Sequence, residues 1–265
     1  MRLLINGGLP HDSGKTKFGL SLISSMKEVG LEIFPSKPVA GHNAWYSYST
    51  LARSVDMGVL AGNDALAYHD LTGDKVEEIN PFAVLLFPVD LDLVQRNFSF
   101  YNFVMDRGYP VLVRLTQNNS TYLEGPSGLI VESMKDILER LKEQFNPIQV
   151  TEDEIWHIIG KAGELSYLTL LEQLRSKPNV LIESYNNASC PTLIPLELDY
   201  AITVVPGRAY VFNGRDYSSF LQLYSRPWLV KAESAFKYLR PMSFHVEVAT
   251  SRSPNLIDYL IKKVS

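Results

Sequence analysis

Hydrophobic and polar positions alternate between two periods along this chain, and each change of period marks an element. Leu3-Leu4-Ile5 is a short unbroken apolar run, the pattern of a strand covered on both faces. From Lys17 to Val29 the apolar residues Phe18, Leu22, Ile23, Met26 and Val29 recur at helical spacing, and Gly30 supplies a stop. Leu31-Glu32-Ile33-Phe34 returns to a strand pattern, which predicts a strand–loop–helix–strand unit with a parallel crossover. Residues 49–57 and 64–72 read as helices. Phe82-Ala83-Val84-Leu85-Leu86-Phe87 and Pro110-Val111-Leu112-Val113-Arg114-Leu115 read as strands, with a polar loop from Thr116 to Thr121 after the second. Residues 131–175 are helical in pattern: Ile137, Leu138 and Leu141 mark one amphipathic segment, Ile155, Ile158 and Ile159 a second, and Leu165, Leu168 and Leu171 a third, punctuated by Pro147 and Gly163. Strand patterns return at 179–183, 201–205 and 244–248. Strands interleaved with helices predict an α/β fold with a mostly parallel central sheet and helices on both faces.

Composition narrows the class without changing that picture. The chain has 265 residues, 46% of them hydrophobic and 20% charged, the balance of a globular protein able to bury a large core. A net charge of −4 and a pI near 5.8 give no basic field, so no nucleic-acid partner is expected. The single Cys190 excludes an intramolecular disulfide and a cysteine-based zinc site. No apolar run approaches the length of a membrane span, and the chain opens directly on a strand pattern, so no membrane association and a cytoplasmic location are expected. No internal repeat or low-complexity linker is present, which predicts one domain over 1–265. Aromatic clusters at Trp45-Tyr46-Ser47-Tyr48 and within 98–103 read as core or interface packing.

The candidate chemistry sits at the first loop. Residues 8–16 read Gly-Leu-Pro-His-Asp-Ser-Gly-Lys-Thr, directly after the first strand and before the first helix. A glycine-bounded loop of this kind cradles phosphates with its backbone N–H groups and with the positive end of the following helix. Gly8, His11, Asp12, Ser13, Gly14, Lys15, Thr16 and Lys17 are therefore the candidate nucleotide-binding residues, with His11 a candidate substrate contact as well. Lys15 would reach the outer phosphates and Thr16 would ligate Mg²⁺. Five residues separate Gly8 from Gly14, one more than the standard phosphate loop has. The pattern predicts a three-layer P-loop NTPase.

With that stretched loop the chain resembles the dethiobiotin synthetases and their wider ATP-dependent relatives, which include the cobyrinic acid amidating enzymes. Those enzymes also carry five residues between the loop glycines and a Lys-Pro-Val after the second strand, matched here by Lys37-Pro38-Val39, 22 positions beyond Lys15. Asn63-Asp64-Ala65-Leu66 is similar to a family stretch whose aspartate binds Mg²⁺, and Ile79-Asn80-Pro81-Phe82 to the opening of its next segment. Val180-Leu181-Ile182-Glu183 is similar to a strand ending in a metal-binding glutamate. The resemblance thus implies Thr16, Asp64 and Glu183 as Mg²⁺ ligands, and Lys15 with Lys37 as the catalytic pair. It further implies ATP-dependent phosphorylation of a carboxylate or carbamate on a small molecule. GTP is the alternative nucleotide, and a homodimer is among the assemblies it allows.

The chain departs from the family at Ser184-Tyr185-Asn186-Asn187-Ala188, which replaces a glycine-rich loop, and at Gly41, where the family has a substrate-binding serine. Val248-Ala249-Thr250-Ser251 matches the adenine-reading segment poorly. These departures imply a different acceptor, and the chain's greater length than the resembled enzymes implies a helical insertion or elaboration within about 84–177 that remodels the substrate side. The competing expectation is a regulatory or chaperone-like ATPase or GTPase acting on a protein partner, although the second lysine such proteins carry inside the loop is missing. Glu124-Gly125-Pro126-Ser127-Gly128 resembles a Glu-Gly site loop but equally reads as a plain turn, Asp90 and Asp92 read as substrate-side or solvated residues in preference to a Walker-B carboxylate, and His42, His69, His157 and His245 lack metal-ligand spacing.

Overall fold

A computed structural model of the chain describes residues 1–193, 197–247 and 254–261. The strands in chain order are β1 (Arg2–Gly7), β2 (Phe34–Ser36), β3 (Val39–Asn43), β4 (Phe82–Leu86), β5 (Pro110–Thr116), β6 (Ser120–Glu124), β7 (Ile148–Gln149), β8 (Val180–Glu183), β9 (Tyr200–Val205), β10 (Arg208–Asn213) and β11 (Met242–His245). The α-helices are α1 (Lys15–Glu28), α2 (Tyr48–Met57), α3 (Asn63–Thr72), α4 (Val76–Ile79), α5 (Phe98–Arg107), α6 (Lys135–Phe145), α7 (Glu152–Gly160), α8 (Ala162–Leu165), α9 (Tyr167–Ser176), α10 (Gly214–Leu221) and α11 (Pro254–Ile261). Contacts divide the chain into two compact units, one of Met1–Val39, Asp70–Asp74 and Gly163–Ser265, the other of Ala40–His69 and Lys75–Ala162.

The first unit is built on a six-stranded sheet in the order β11-β10-β9-β1-β8-β2. β1 pairs in parallel with β8 and β9, and β2 with β8, so four strands point the same way; β10 is antiparallel to both β9 and β11. Leu3, Leu4 and Ile5 are fully buried, as are Val180, Leu181 and Ile182 of β8, so both faces of the central strands are covered. α1 packs across β1, β8 and β9 through its apolar stripe, in which Phe18, Leu22, Ile23 and Met26 are buried. α10 covers β9 and β10, and its Tyr217 and Phe220 join Phe212 and Phe236 in an aromatic cluster. Cys190 is fully buried here and its Sγ donates to the Thr192 carbonyl at 3.1 Å.

The second unit holds a five-stranded sheet in the order β3-β4-β5-β6-β7. β4, β5 and β6 form an antiparallel meander and β7 joins β6 in parallel. α2 and α6 pack together over its core, where Leu51, Leu85, Val111, Leu138 and Leu141 meet, and Tyr122 stacks on Phe145 at 4.4 Å between centroids. Arg114 lies fully buried at the centre. Its guanidinium donates to the carbonyls of Leu60 (2.9 Å) and Asn80 (2.6 Å) and to Thr116 Oγ1 (2.6 Å), and burial lowers its pKa to about 10, so it stays charged.

The architecture is α/β, but the expected mostly parallel central sheet is corrected to two mixed sheets. Hairpins cause the change: β9 turns back into β10 at Gly207, which adopts a positive φ of 78°, and β5 turns back into β6. The polar stretch expected as a loop is thus partly strand, because β6 pairs along its length with β5. The expected second strand is shifted. After the left-handed Gly30 the chain begins pairing only at Phe34, whose N–H donates to the Asn179 carbonyl. The middle of the chain carries helices α6 to α9 as expected, together with strands. The expected strand at 244–248 begins earlier, at Met242; Val248, like the segment 248–251, lies outside the described residues. Among the described residues no helix is long and apolar enough to cross a membrane.

Candidate phosphate-binding site

In the first unit β1 connects to β2 across β8, whereas β8 connects to β9 across β1, in the opposite direction. Where connections diverge in this way, a crevice opens at the carboxyl ends of parallel strands and ligands bind there. Glu183 at the end of β8 stands level with Ile5 of β1, so the loops leaving both strands share this edge.

The loop from Gly8 to Gly14 folds tightly back on itself. Ser13 Oγ is buried; it accepts from the Leu9 N–H and donates to the Leu9 carbonyl, both at 3.0 Å. A β-carbon on Gly7 would fall 2.5 Å from Ser13 Oγ and 3.0 Å from Lys15 Nζ, so the close approach requires glycine there. Asp12 and Gly14 take left-handed backbone, φ 53° and 83°, and the second aims the chain into α1. No side chain caps α1, and its first turn holds no acidic residue but carries Lys15 and Lys17. An uncapped helix start beside a lysine is the chemistry of an anion site, so the cradle fits a phosphate group. His11, Asp12 and Lys17 are exposed on the solvent side of the loop.

Behind the loop, polar side chains converge on one carboxylate. Thr16 Oγ1 donates to Glu183 Oε1 at 2.9 Å, and Lys37 Nζ, from the end of β2, donates to the same oxygen at 2.5 Å. Lys37 and Glu183 are almost completely buried, with side-chain exposures of 3% and 0%. Lys37 also reaches the Ser184 carbonyl at 3.2 Å, and Lys15 Nζ reaches the Asn186 carbonyl at 2.8 Å. Both lysines therefore touch the loop 184–188 that leaves β8. That loop is anchored: Tyr185 donates to the Trp228 carbonyl at 3.2 Å, and burial holds its phenol protonated by raising the pKa to about 12.

The structure thus brings Gly8, Ser13, Gly14, Lys15, Thr16, Lys37 and Glu183 together in one unit. Asp64 belongs to the other unit, half-buried in the first turn of α3, where its charge acts on His42. Among the described residues no group of three or more His, Cys, Asp or Glu side chains is arranged to hold a metal ion. The donors Thr16 and Glu183 are hard oxygens of the kind a phosphate-bound Mg²⁺ takes, but Glu183 is shared with Lys37.

Two features escaped the reading of the sequence. Asn6, the polar residue closing the apolar run of β1, sits at the centre of a buried network. Its amide donates to the Ser189 carbonyl (3.0 Å) and Tyr217 Oη (2.8 Å) and accepts from Thr203 (2.7 Å), tying β1 to the segment just past the loop that follows Glu183. An asparagine at the end of an unbroken apolar run, just before a glycine, was the signal. In the second unit His42 is buried with both ring nitrogens lacking a hydrogen-bond partner, and burial lowers its pKa to about 4. No protein-family model matches the chain, and no curated protein or solved structure is significantly similar to it.

Proposed function

We propose that this protein is a P-loop nucleoside triphosphatase that uses ATP, with GTP as the alternative, to activate a carboxylate or carbamate on a small molecule. The observation that carries the reading is the convergence of Thr16 and Lys37 on the buried Glu183, directly behind an uncapped helix start and its glycine-bounded loop. The loop N–H groups and the start of α1 would hold the phosphates, and Lys15 would offset charge on the transferring phosphoryl group. Glu183 fixes the direction of the Thr16 hydroxyl and of the Lys37 ammonium. Lys37 would hold the acceptor's anionic oxygen for in-line attack, a positioning effect. Bound Mg²⁺, reached by Thr16 and Glu183, would supply further charge neutralisation at the phosphates. The three-layer P-loop fold and the family resemblance belong to the same proposal.

A thermal-shift series with ATP, GTP and CTP plus Mg²⁺ tests it. A ligand held at about 100 times its Kd stabilises the folded state by about 2.7 kcal/mol. For a chain of this size that corresponds to a melting shift of about 5 °C. Lys15→Ala abolishes the shift, whereas Lys37→Ala keeps it and loses turnover. A melting temperature unmoved by every triphosphate overturns the reading. Hydrolysis stimulated by small carboxylic acids or diamines supports the ligase; hydrolysis stimulated only by a protein partner replaces it with a regulatory NTPase.

A further inference from the structure

The far end of α1 borders a second concavity in the same unit. A cavity of about 430 Å³ opens at the edge where β2 and β8 begin, between the last two turns of α1, the residues leading into β2, the end of α3 and the segment before β8. Its volume falls within the ~300–1,000 Å³ typical of small-molecule sites. The floor is apolar: Ile23, Ile33 and Phe34 are buried residues, and Leu71 is half-buried. Lys177 stands over the Phe34 ring, its Nζ 4.8 Å from the centroid, and Lys27 lies at the rim.

The charges around the rim are not equivalent. Glu28 and Asp74 already have polar or electrostatic partners, as does Thr72. Lys27 and Lys177 form no ion pair with a carboxylate among the described residues. Glu32 is the one remaining acidic residue of the lining, and it is exposed. The cavity therefore offers an apolar floor and two lysine ammonium groups, one of them fixed above an aromatic face. An ammonium held on a ring keeps its outward side for an anion, and partial desolvation strengthens that pairing.

We propose that this cavity binds a small amphipathic carboxylate, with its apolar body on Ile23, Ile33 and Leu71 and its anionic group at Lys177. The site shares no residue with the phosphate loop, so its occupancy is independent of the proposed triphosphatase reading.

The experiment titrates the full chain by calorimetry with 4-phenylbutyrate, and separately with 4-phenylbutylamine, which has the same body and the opposite charge. Expected is one phenylbutyrate bound per chain and no saturable binding of the amine. Lys177→Glu, which reverses the charge on the ring, weakens phenylbutyrate about tenfold or more, the scale of losing one charge-assisted contact. Ser24→Trp, which fills the cavity from α1, removes binding while the melting temperature stays near that of the parent. Equal binding of acid and amine, no binding of the acid below about 10 mM, or parent-like binding in both variants would each overturn the proposal.

Discussion

The buried pair Lys37–Glu183 can be tested by removing its two charges singly and together. With exposures of 3% and 0%, both side chains are desolvated in the folded chain. Lys37→Met leaves a buried carboxylate that still accepts from the Thr16 hydroxyl, and Glu183→Leu leaves a buried ammonium facing the Ser184 carbonyl. Stranding one charge of such a pair costs about 3–5 kcal/mol, so each single variant is expected in that range. Removing both charges leaves neither stranded, and the double variant should cost well under the sum, with a coupling of at least about 2 kcal/mol. Urea unfolding measures this, but two compact units can unfold separately and a whole-chain signal would mix them. Trp228 lies in the unit that holds the pair, so a background of Trp45→Phe and Trp156→Phe makes its fluorescence specific. Single variants that each cost under about 1 kcal/mol, or costs that simply add, would refute the assignment of a desolvated, mutually dependent pair.

Three further outcomes follow from local geometry. His42 has a folded-state pKa of about 4 against an ordinary 6.5, so the unfolded chain takes up the proton first as pH falls. Its contribution is complete above about pH 6.5 and is lost towards pH 4, amounting to about 3 kcal/mol. In His42→Phe this portion of the pH dependence should vanish from denaturation curves; an unchanged slope would exclude the buried neutral imidazole. Gly214→Ala places a β-carbon 2.0 Å from the Leu198 carbonyl oxygen, and backbone cannot yield as a side chain can. A loss of about 2–3 kcal/mol is expected in urea titrations, and a neutral substitution contradicts the contact. Thr151 accepts from the Glu154 N–H while the Glu154 carboxylate accepts from the Thr151 N–H, which holds that carboxyl below its ordinary pKa. Thr151→Ala should cost about 1 kcal/mol and increase amide exchange in the first turn of α7, whereas unchanged exchange there would show the cap to be idle.

Elements set by local pattern were legible in the sequence, and those set by distant pairing were not. The first strand, the loop and α1 follow from an apolar run, two glycines and a helical stripe, all within the first 28 residues. The strands at 82, 110, 180 and 200 could be read because each is a compact apolar run. β6 could not, since Ser120, Thr121 and Tyr122 form a half-exposed strand that exists by pairing with β5. β10 was missed in the same way, although the Pro206-Gly207 turn before it was a usable sign of a hairpin. α5 was read as an aromatic cluster because its exposed Phe98, Phe100 and Phe103 obscure the helical period; only Val104 of this helix is buried. Within the candidate site, Lys15 and Thr16 were singled out from the loop motif, and Lys37 and Glu183 were added to them from a family resemblance. That Lys37 and Glu183 would bind each other was not foreseen, because it depends on β2 and β8 being neighbours with their ends aligned.

The lone cysteine turns this packing into a clock. Cys190 follows the loop that both lysines touch, is fully enclosed, and has its thiol pKa pushed far up by burial. A thiol reagent in solution can reach it only during moments when this part of the first unit opens, and only then can thiolate form at an ordinary rate. When reclosing outruns modification, the labelling rate reports the open fraction directly. Any molecule that settles on the loop between β1 and α1, or in the cavity at the other end of α1, should slow that clock by the factor through which it favours the closed form. One reagent and one native side chain thus provide a ligand assay that needs neither a known substrate nor a measurable turnover.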